Sequence, residues 1–289
     1  MFFRFILKKE YKLNLYHFLE NYLKQQTLSK FPNFNTDELH YYYKEPYMYH
    51  NYFNVKIEKG KESINDIMKV LAYTLVFADG THINFQKFYS DLSFILNDFD
   101  PNYIAFLKVD VLFSTFKQII KPQFHEPCVN SHFFDSIWHN YAKSLISCAK
   151  YLLNNFTDFN TYINNINNNP KQAFDELNKI TGFGEYLSIR FLNTIGCFDY
   201  YLLDYRLYPF FKSIDESVTD IDSFHKALNR QAEIANVKVY SFNKLFQLIR
   251  KGSYFFHDVF IKSTRGKGNL FNNLTIAVKN AIDNKIIDL

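Results

Sequence analysis

The sequence predicts a mainly α-helical fold, with a small β element in its N-terminal part. Three observations carry this. Glycine and proline are scarce, 8 and 7 in 289 residues, so few positions break a helix. Several long stretches repeat apolar residues at intervals of three and four. Helix-opening signals stand where such stretches begin, at Ser63 with Asp66 and at Asn169-Pro170.

Residues 11–25 have helical spacing, and the aromatic run from His40 to Phe53, broken by Pro46, reads as an irregular loop. From Ser63 a capping box opens a helix with Ile64, Ile67, Met68, Leu71 and Leu75 on one face. A competing reading makes Val70–Phe77 a strand, turning at Asp79-Gly80 into Ile83–Phe85. Further helices are expected over Phe88–Leu96, Tyr103–Ile119 and His132–Asn155. Pro122 and Pro127 bracket a loop before the last of these. That loop divides the chain into a mostly helical region, residues 1–125, and a core with C-terminal helices, residues 126–289. Pro170 starts a helix that turns Phe174, Leu177 and Ile180 inward, and the helix after it buries Leu187, Phe191 and Ile195. Ile221–Ile234, Phe242–Ile249 and the amphipathic Leu274–Ile287 complete the helical set.

Composition narrows the function without naming it. Hydrophobic residues make up 47% of the chain and aromatic residues 19%, but the joint excess of Lys, Asn, Phe, Tyr and Ile has the character of AT-rich codon usage. The net charge of +4 permits nucleic-acid binding without requiring it. Cys128, Cys148 and Cys197 form no CxxC pair, so a disulfide framework or zinc site is not expected and a reducing compartment is. The apolar start is interrupted by Arg4, Lys8, Lys9 and Glu10 and is too short for a membrane span. The expectation is an intracellular monomer, in cytoplasm and nucleoid or in a nucleus, with no membrane partner.

Chemistry concentrates in residues 177–206. Between two apolar helices stands Thr181-Gly182-Phe183-Gly184-Glu185, and Asp204 follows Gly182 by 22 positions. Glycines suit the positive φ of a tight turn and let a phosphate approach the backbone. The first amides of the second helix lack helical partners and carry the positive end of its dipole. Gly182, Phe183, Gly184 and Glu185 are therefore the candidate phosphate-binding residues, with Phe183 inserted into the core as a lock.

This segment resembles the helix-hairpin-helix DNA glycosylase superfamily, which includes endonuclease III, the adenine glycosylases and the 8-oxoguanine glycosylases. In that family a hairpin reading L-P-G-V-G is followed, after a helix and a short loop, by a catalytic aspartate. Ile180-Thr181-Gly182-Phe183-Gly184 takes the hairpin's place here and Asp204 the aspartate's, over about residues 170–212. The resemblance implies a helical glycosylase-like fold and a double-stranded DNA partner carrying a lesion or modified base. It also implies a monovalent cation held by the backbone of Ile180 and Phe183. Bifunctional members place a Schiff-base lysine two residues after the second glycine; Tyr186 stands there, which implies a water nucleophile and no lyase activity. No cysteine follows Cys197, so the four-cysteine iron–sulfur motif of some members is absent. Pro209 departs from the family's regular helix after the aspartate, and is expected to kink that helix or delay its start.

In such an enzyme Asp204 stabilises positive charge on the sugar and positions water, with Asp199 its nearest rival. A flipped base needs a stacking wall, for which Trp138, Tyr186, Phe124, His125 and Tyr41–Tyr43 are candidates. Lys262, Arg265 and Lys267 are candidates for outlying phosphate contacts. Two other readings stand beside this one. Asp204-Tyr205-Arg206 with a nearby proline is similar to a segment of the queuosine-salvage nucleosidases, although these have no need of a phosphate-gripping hairpin. A non-enzymatic helix-hairpin-helix DNA-binding module needs no aspartate after its second helix.

Overall fold

The computed structural model describes residues 13–37, 39, 43–44, 46, 48, 57, 59–77, 85–123, 131–251, 253–254, 259–260 and 269–289. Helices dominate these residues, as expected. They are α1 (Leu15–Lys30), α2 (Ile64–Leu75), α3 (Phe85–Ile95), α4 (Pro101–Phe106), α5 (Val109–Ile119), α6 (Ser131–Asn155), α7 (Phe159–Asn168), α8 (Pro170–Leu177), α9 (Glu185–Ile195), α10 (Leu207–Ile214), α11 (Ile221–Ile234), α12 (Val239–Lys251) and α13 (Asn269–Asp283). Strand is confined to two-residue pairs. β1 (Leu13–Asn14) runs parallel to β4 (Ile287–Asp288), and β2 (Ser253–Tyr254) antiparallel to β3 (Val259–Phe260). No helix among the described residues is long and apolar enough to cross a membrane.

The chain forms two units, residues 1–45 with 203–289, and residues 46–202. The division expected at residues 125/126 falls inside the second of these rather than between units. The reason lies in α6, on which α2, α4 and α5 from earlier in the chain all pack, so elements on both sides of the expected boundary share one core.

In the 46–202 unit, α2 opens as the sequence predicts. The Asp66 carboxylate accepts from the Ser63 amide and the Ser63 hydroxyl, each at 2.9 Å, and Ile67, Met68 and Leu71 are fully buried. The helix expected over Tyr103–Ile119 is instead two, α4 and α5, separated by extended backbone at Leu107 and Lys108. In one continuous helix Leu112 would be rotated by roughly 80° from Ile104. The break lets both helices set their apolar sides on α6. Helix α7 lies in an Asn-rich stretch for which the sequence reading proposed no element. Asp158 caps it by accepting from the Thr161 amide at 2.9 Å, and Phe159, Tyr162 and Ile166 are its buried residues.

The other unit gathers both ends of the chain. Its core joins Leu15, Leu19 and Leu23 of α1 to Phe210 and Phe211 of α10, Phe224 of α11, Phe242 and Phe246 of α12, and Leu274 and Val278 of α13. Leu13 pairs with Ile287, a strand pair the sequence reading did not propose, whereas the strand it weighed over Val70–Phe77 is instead the end of α2, helical through Leu75. Ile221–Ile234 is helical over the residues expected, and α13 ends at Asp283, short of the expected Ile287.

Candidate functional site

The hairpin is built by α8, a tight turn and α9. Gly182 has φ +87°, a backbone conformation that favours glycine. It is also held close to α6, because a Cβ there would lie 2.8 Å from the Ser144 Cβ and closer still to its hydroxyl. The neighbouring Thr181 amide donates to the Ser147 hydroxyl at 3.2 Å, a second tie between turn and α6. Phe183 is buried at 7% exposure, edge-on to Phe191 with ring centroids 6.4 Å apart. Its amide donates to the Ile180 carbonyl at 3.0 Å, which closes the turn.

Gly184 differs from Gly182. Its φ of −133° is ordinary extended backbone, and a Cβ there would meet nothing within 4 Å. It precedes α9 as the N-cap, and the first amide bonded back is Ser188, to the Gly184 carbonyl at 2.9 Å. Among the described residues, no hydrogen bond occupies the amides of Gly184, Glu185 or Tyr186. A partly positive, sterically open backbone edge results, suited to an anion. The exposed Glu185 carboxylate sits at the same helix end and opposes that charge.

Tyr186 is 48% exposed in the first turn of α9. Arg190, one turn on, donates from Nη1 to the Tyr186 hydroxyl at a long 3.5 Å. The Arg190 guanidinium lies over the Phe77 ring, its Cζ 3.4 Å from the ring centroid. Sequence reasoning passed over both Arg190 and Phe77. Arg190 had a local signal in its i+4 spacing from Tyr186, whereas Phe77, 113 positions before Arg190, had none.

Asp204 belongs to the other unit, just after the chain returns to it. Its carboxylate is 10% exposed and ion-paired to the Arg250 Nε at 3.0 Å. The second carboxylate oxygen accepts from the Arg206 amide at 3.1 Å, and the Asp204 amide donates to the Asn243 side chain at 2.9 Å. Pro209 takes the third position of α10, within the first turn, where a missing amide removes no helical bond. The proline thus allows a helix that starts at Leu207, with Asp204 in the turn ahead of it. Arg250 and Asn243 lie 46 and 39 residues from Asp204, too far to leave a local pattern.

Trp138 needs a correction. It is 2% exposed, with its ring among those of Phe88, Phe116, Phe134 and Tyr141 at centroid distances of 5.1 to 6.0 Å. It is a core residue, and its enclosed ring is not a wall on which a base can stack. Tyr43 is likewise buried at 2% exposure, while Asp199 is exposed. Phe124, His125, Tyr41, Tyr42, Cys128, Lys262, Arg265, Lys267 and the alternative turn at Asp79-Gly80 lie outside the described residues. Cys148 and Cys197 are buried and not disulfide-bonded, and no group of three or more His, Cys, Asp or Glu among the described residues could hold a metal ion. No protein-family model, curated protein or solved structure matches the chain.

Proposed function

We propose that the protein is a DNA N-glycosylase of the helix-hairpin-helix type that uses water as its nucleophile. The observation that carries this reading is the hairpin's division of labour. Gly182 and Phe183 fix the turn into the core, while Gly184 and the first amides of α9 present an open, positively polarised edge. That edge would hold a phosphate of the strand. The Ile180 carbonyl already accepts one hydrogen bond and keeps a second lone pair, the neutral donor type that suits the expected monovalent cation.

In the reaction, the bond between C1′ and the base nitrogen breaks and its electron pair leaves with the base. Positive charge builds on the sugar, water oxygen then takes the vacated position at C1′, and the proton that water loses is balanced by one taken up at the departing base nitrogen, giving an abasic sugar hydroxyl and the free neutral base. Asp204, by resemblance, stabilises that charge and orients the water. Its ion pair with Arg250 would loosen to free a carboxylate oxygen for this role. Tyr186 leaves no amine for a Schiff base at that position, so release without strand cleavage is expected. The target base must leave the stack, at a cost of a few kcal/mol that pocket contacts offset.

A second reading, a DNA-binding module without catalysis, is favoured by that same ion pair, since both oxygens of Asp204 already have structural partners. One experiment separates the two. Duplexes carrying a panel of oxidised, mispaired, alkylated and hypermodified bases are incubated with wild type and Asp204→Asn, then treated with alkali to reveal abasic sites. The glycosylase reading expects alkali-dependent cleavage that Asp204→Asn abolishes while DNA binding persists. Binding with no base release from any duplex supports the module.

A further inference from the structure

Arg190 is the one cation of α9, and its surroundings do not account for its charge. Among the described residues it has no carboxylate within ion-pair distance, and its Nε is buried with no hydrogen-bond partner. The guanidinium's one hydrogen bond among the described residues, to the Tyr186 hydroxyl, is long at 3.5 Å. A guanidinium has five N–H donors in a rigid fork, and a buried donor left unsatisfied is unfavourable unless something else completes it. The group nonetheless lies over the Phe77 ring, Cζ 3.4 Å from its centroid, a cation–π contact that holds it in place.

Position gives this cation a purpose. Helical side chains lean toward the N-terminus, so Arg190 covers the turn that begins at Tyr186, the first turn of the helix whose leading amides form the open edge. That edge has a charge problem, because the exposed Glu185 carboxylate repels the anion the amides would attract. A half-charge dipole end facing a full negative charge is weak anion-binding equipment. A full positive charge one turn away reverses the balance.

Resting on the glycosylase or DNA-binding reading of the hairpin, we infer that Arg190 is a strand-binding residue. It contacts a phosphodiester of the nucleic acid next to the one held by the hairpin amides, with Phe77 as the platform that orients its guanidinium. Tyr186, 48% exposed beside it, flanks the same strand. This assigns the charge of the site to a residue outside the glycine turn, and predicts that the hairpin alone binds poorly.

The test uses the full chain and a 5′-fluorescein 20-base-pair undamaged duplex, with anisotropy measured between 50 and 200 mM salt. Arg190→Gln is expected to weaken binding by roughly tenfold and to reduce the salt slope by about one. Arg190→Lys keeps the slope and recovers part of the affinity. Gly184→Glu, placed in open space, tests the hairpin itself by adding a negative charge. If Gly184→Glu weakens binding while Arg190→Gln leaves slope and affinity unchanged, the inference fails and the hairpin reading stands. If wild type does not bind the duplex, or Gly184→Glu binds as well as wild type, the hairpin reading fails and takes the inference with it. Should Arg190→Gln unfold the protein, phenylglyoxal labelling of wild type decides. Duplex protects Arg190 from modification if it contacts the strand, and equal labelling with and without duplex overturns the proposal.

Discussion

Replacing Gly182 by alanine tests whether the hairpin owes its shape to the core beneath it. Two penalties follow from the geometry. At φ +87°, an alanine pays about 1–2 kcal/mol for the left-handed backbone. Its Cβ would also lie 2.8 Å from the Ser144 Cβ and inside contact distance of the hydroxyl, an overpacking worth about 1–3 kcal/mol. The narrower unfolded ensemble of alanine returns about 0.4–1 kcal/mol. The net expectation is a loss of about 1–4.6 kcal/mol, roughly 2–18 °C in the melting temperature of a unit this size. Gly184→Ala is the control, with φ −133° and no atom near the new Cβ, and should stay within about 1 kcal/mol of wild type. Urea unfolding followed by circular dichroism measures both. A double-mutant cycle with Ser144→Gly isolates the contact from the backbone strain, and a favourable coupling of at least about 1 kcal/mol is expected. Gly182→Ala within about 0.5 kcal/mol of wild type, or a cycle without coupling, refutes the reasoning.

Three further outcomes follow. Burial opposes ionisation of Asp66, but the Lys69 ammonium at 2.8 Å and the Ser63 amide and hydroxyl outweigh it, holding the carboxyl below its ordinary value. Its stabilisation is therefore present above the unfolded value of about 3.9 and lost as pH falls through the lower folded value. Asp66→Asn should lose about 1 kcal/mol at pH 7, a difference that shrinks toward pH 2 in parallel urea titrations. Burial pushes the Cys148 thiol well above its ordinary value. Mass-resolved labelling at pH 8 should leave Cys148 unmodified in the native protein and label it in urea; fast native labelling would contradict that burial. Asp204→Asn should destabilise the protein by about 1–3 kcal/mol by leaving the Arg250 guanidinium unpaired, while Asp204→Asn with Arg250→Gln loses less than the sum of the single variants.

Much of the helical framework was legible because helix signals are local. The Ser63/Asp66 box, the Asn169-Pro170 start of α8, and the apolar phase of Leu187, Phe191 and Ile195 all lie within a few residues of what they control. Where the reading failed, a non-local demand had overridden the local pattern. The stretch 103–119 reads as one helix, yet α6 requires two segments in different phase. The Asn-rich composition around residues 160–169 hid an amphipathic helix whose three buried residues are spaced by three and four. Trp138 was misread because composition cannot tell an aromatic ring in a core from one in a pocket.

In each of the two candidate segments, the hairpin and the turn that carries Asp204, the same boundary appears. The sequence by itself determined the place of the glycine turn, the inward phase of Phe183 and the amide end of α9, which follow from dihedrals and spacing within one or two helical turns. Only the tertiary structure decided that residues 1–45 share a unit with 203–289, that Arg250 and Asn243 hold Asp204, and that Phe77 lies against the Arg190 guanidinium. Apolar burial is non-directional, and an ion pair spanning 46 residues has no period to read. Such contacts become visible only when packing brings distant segments together.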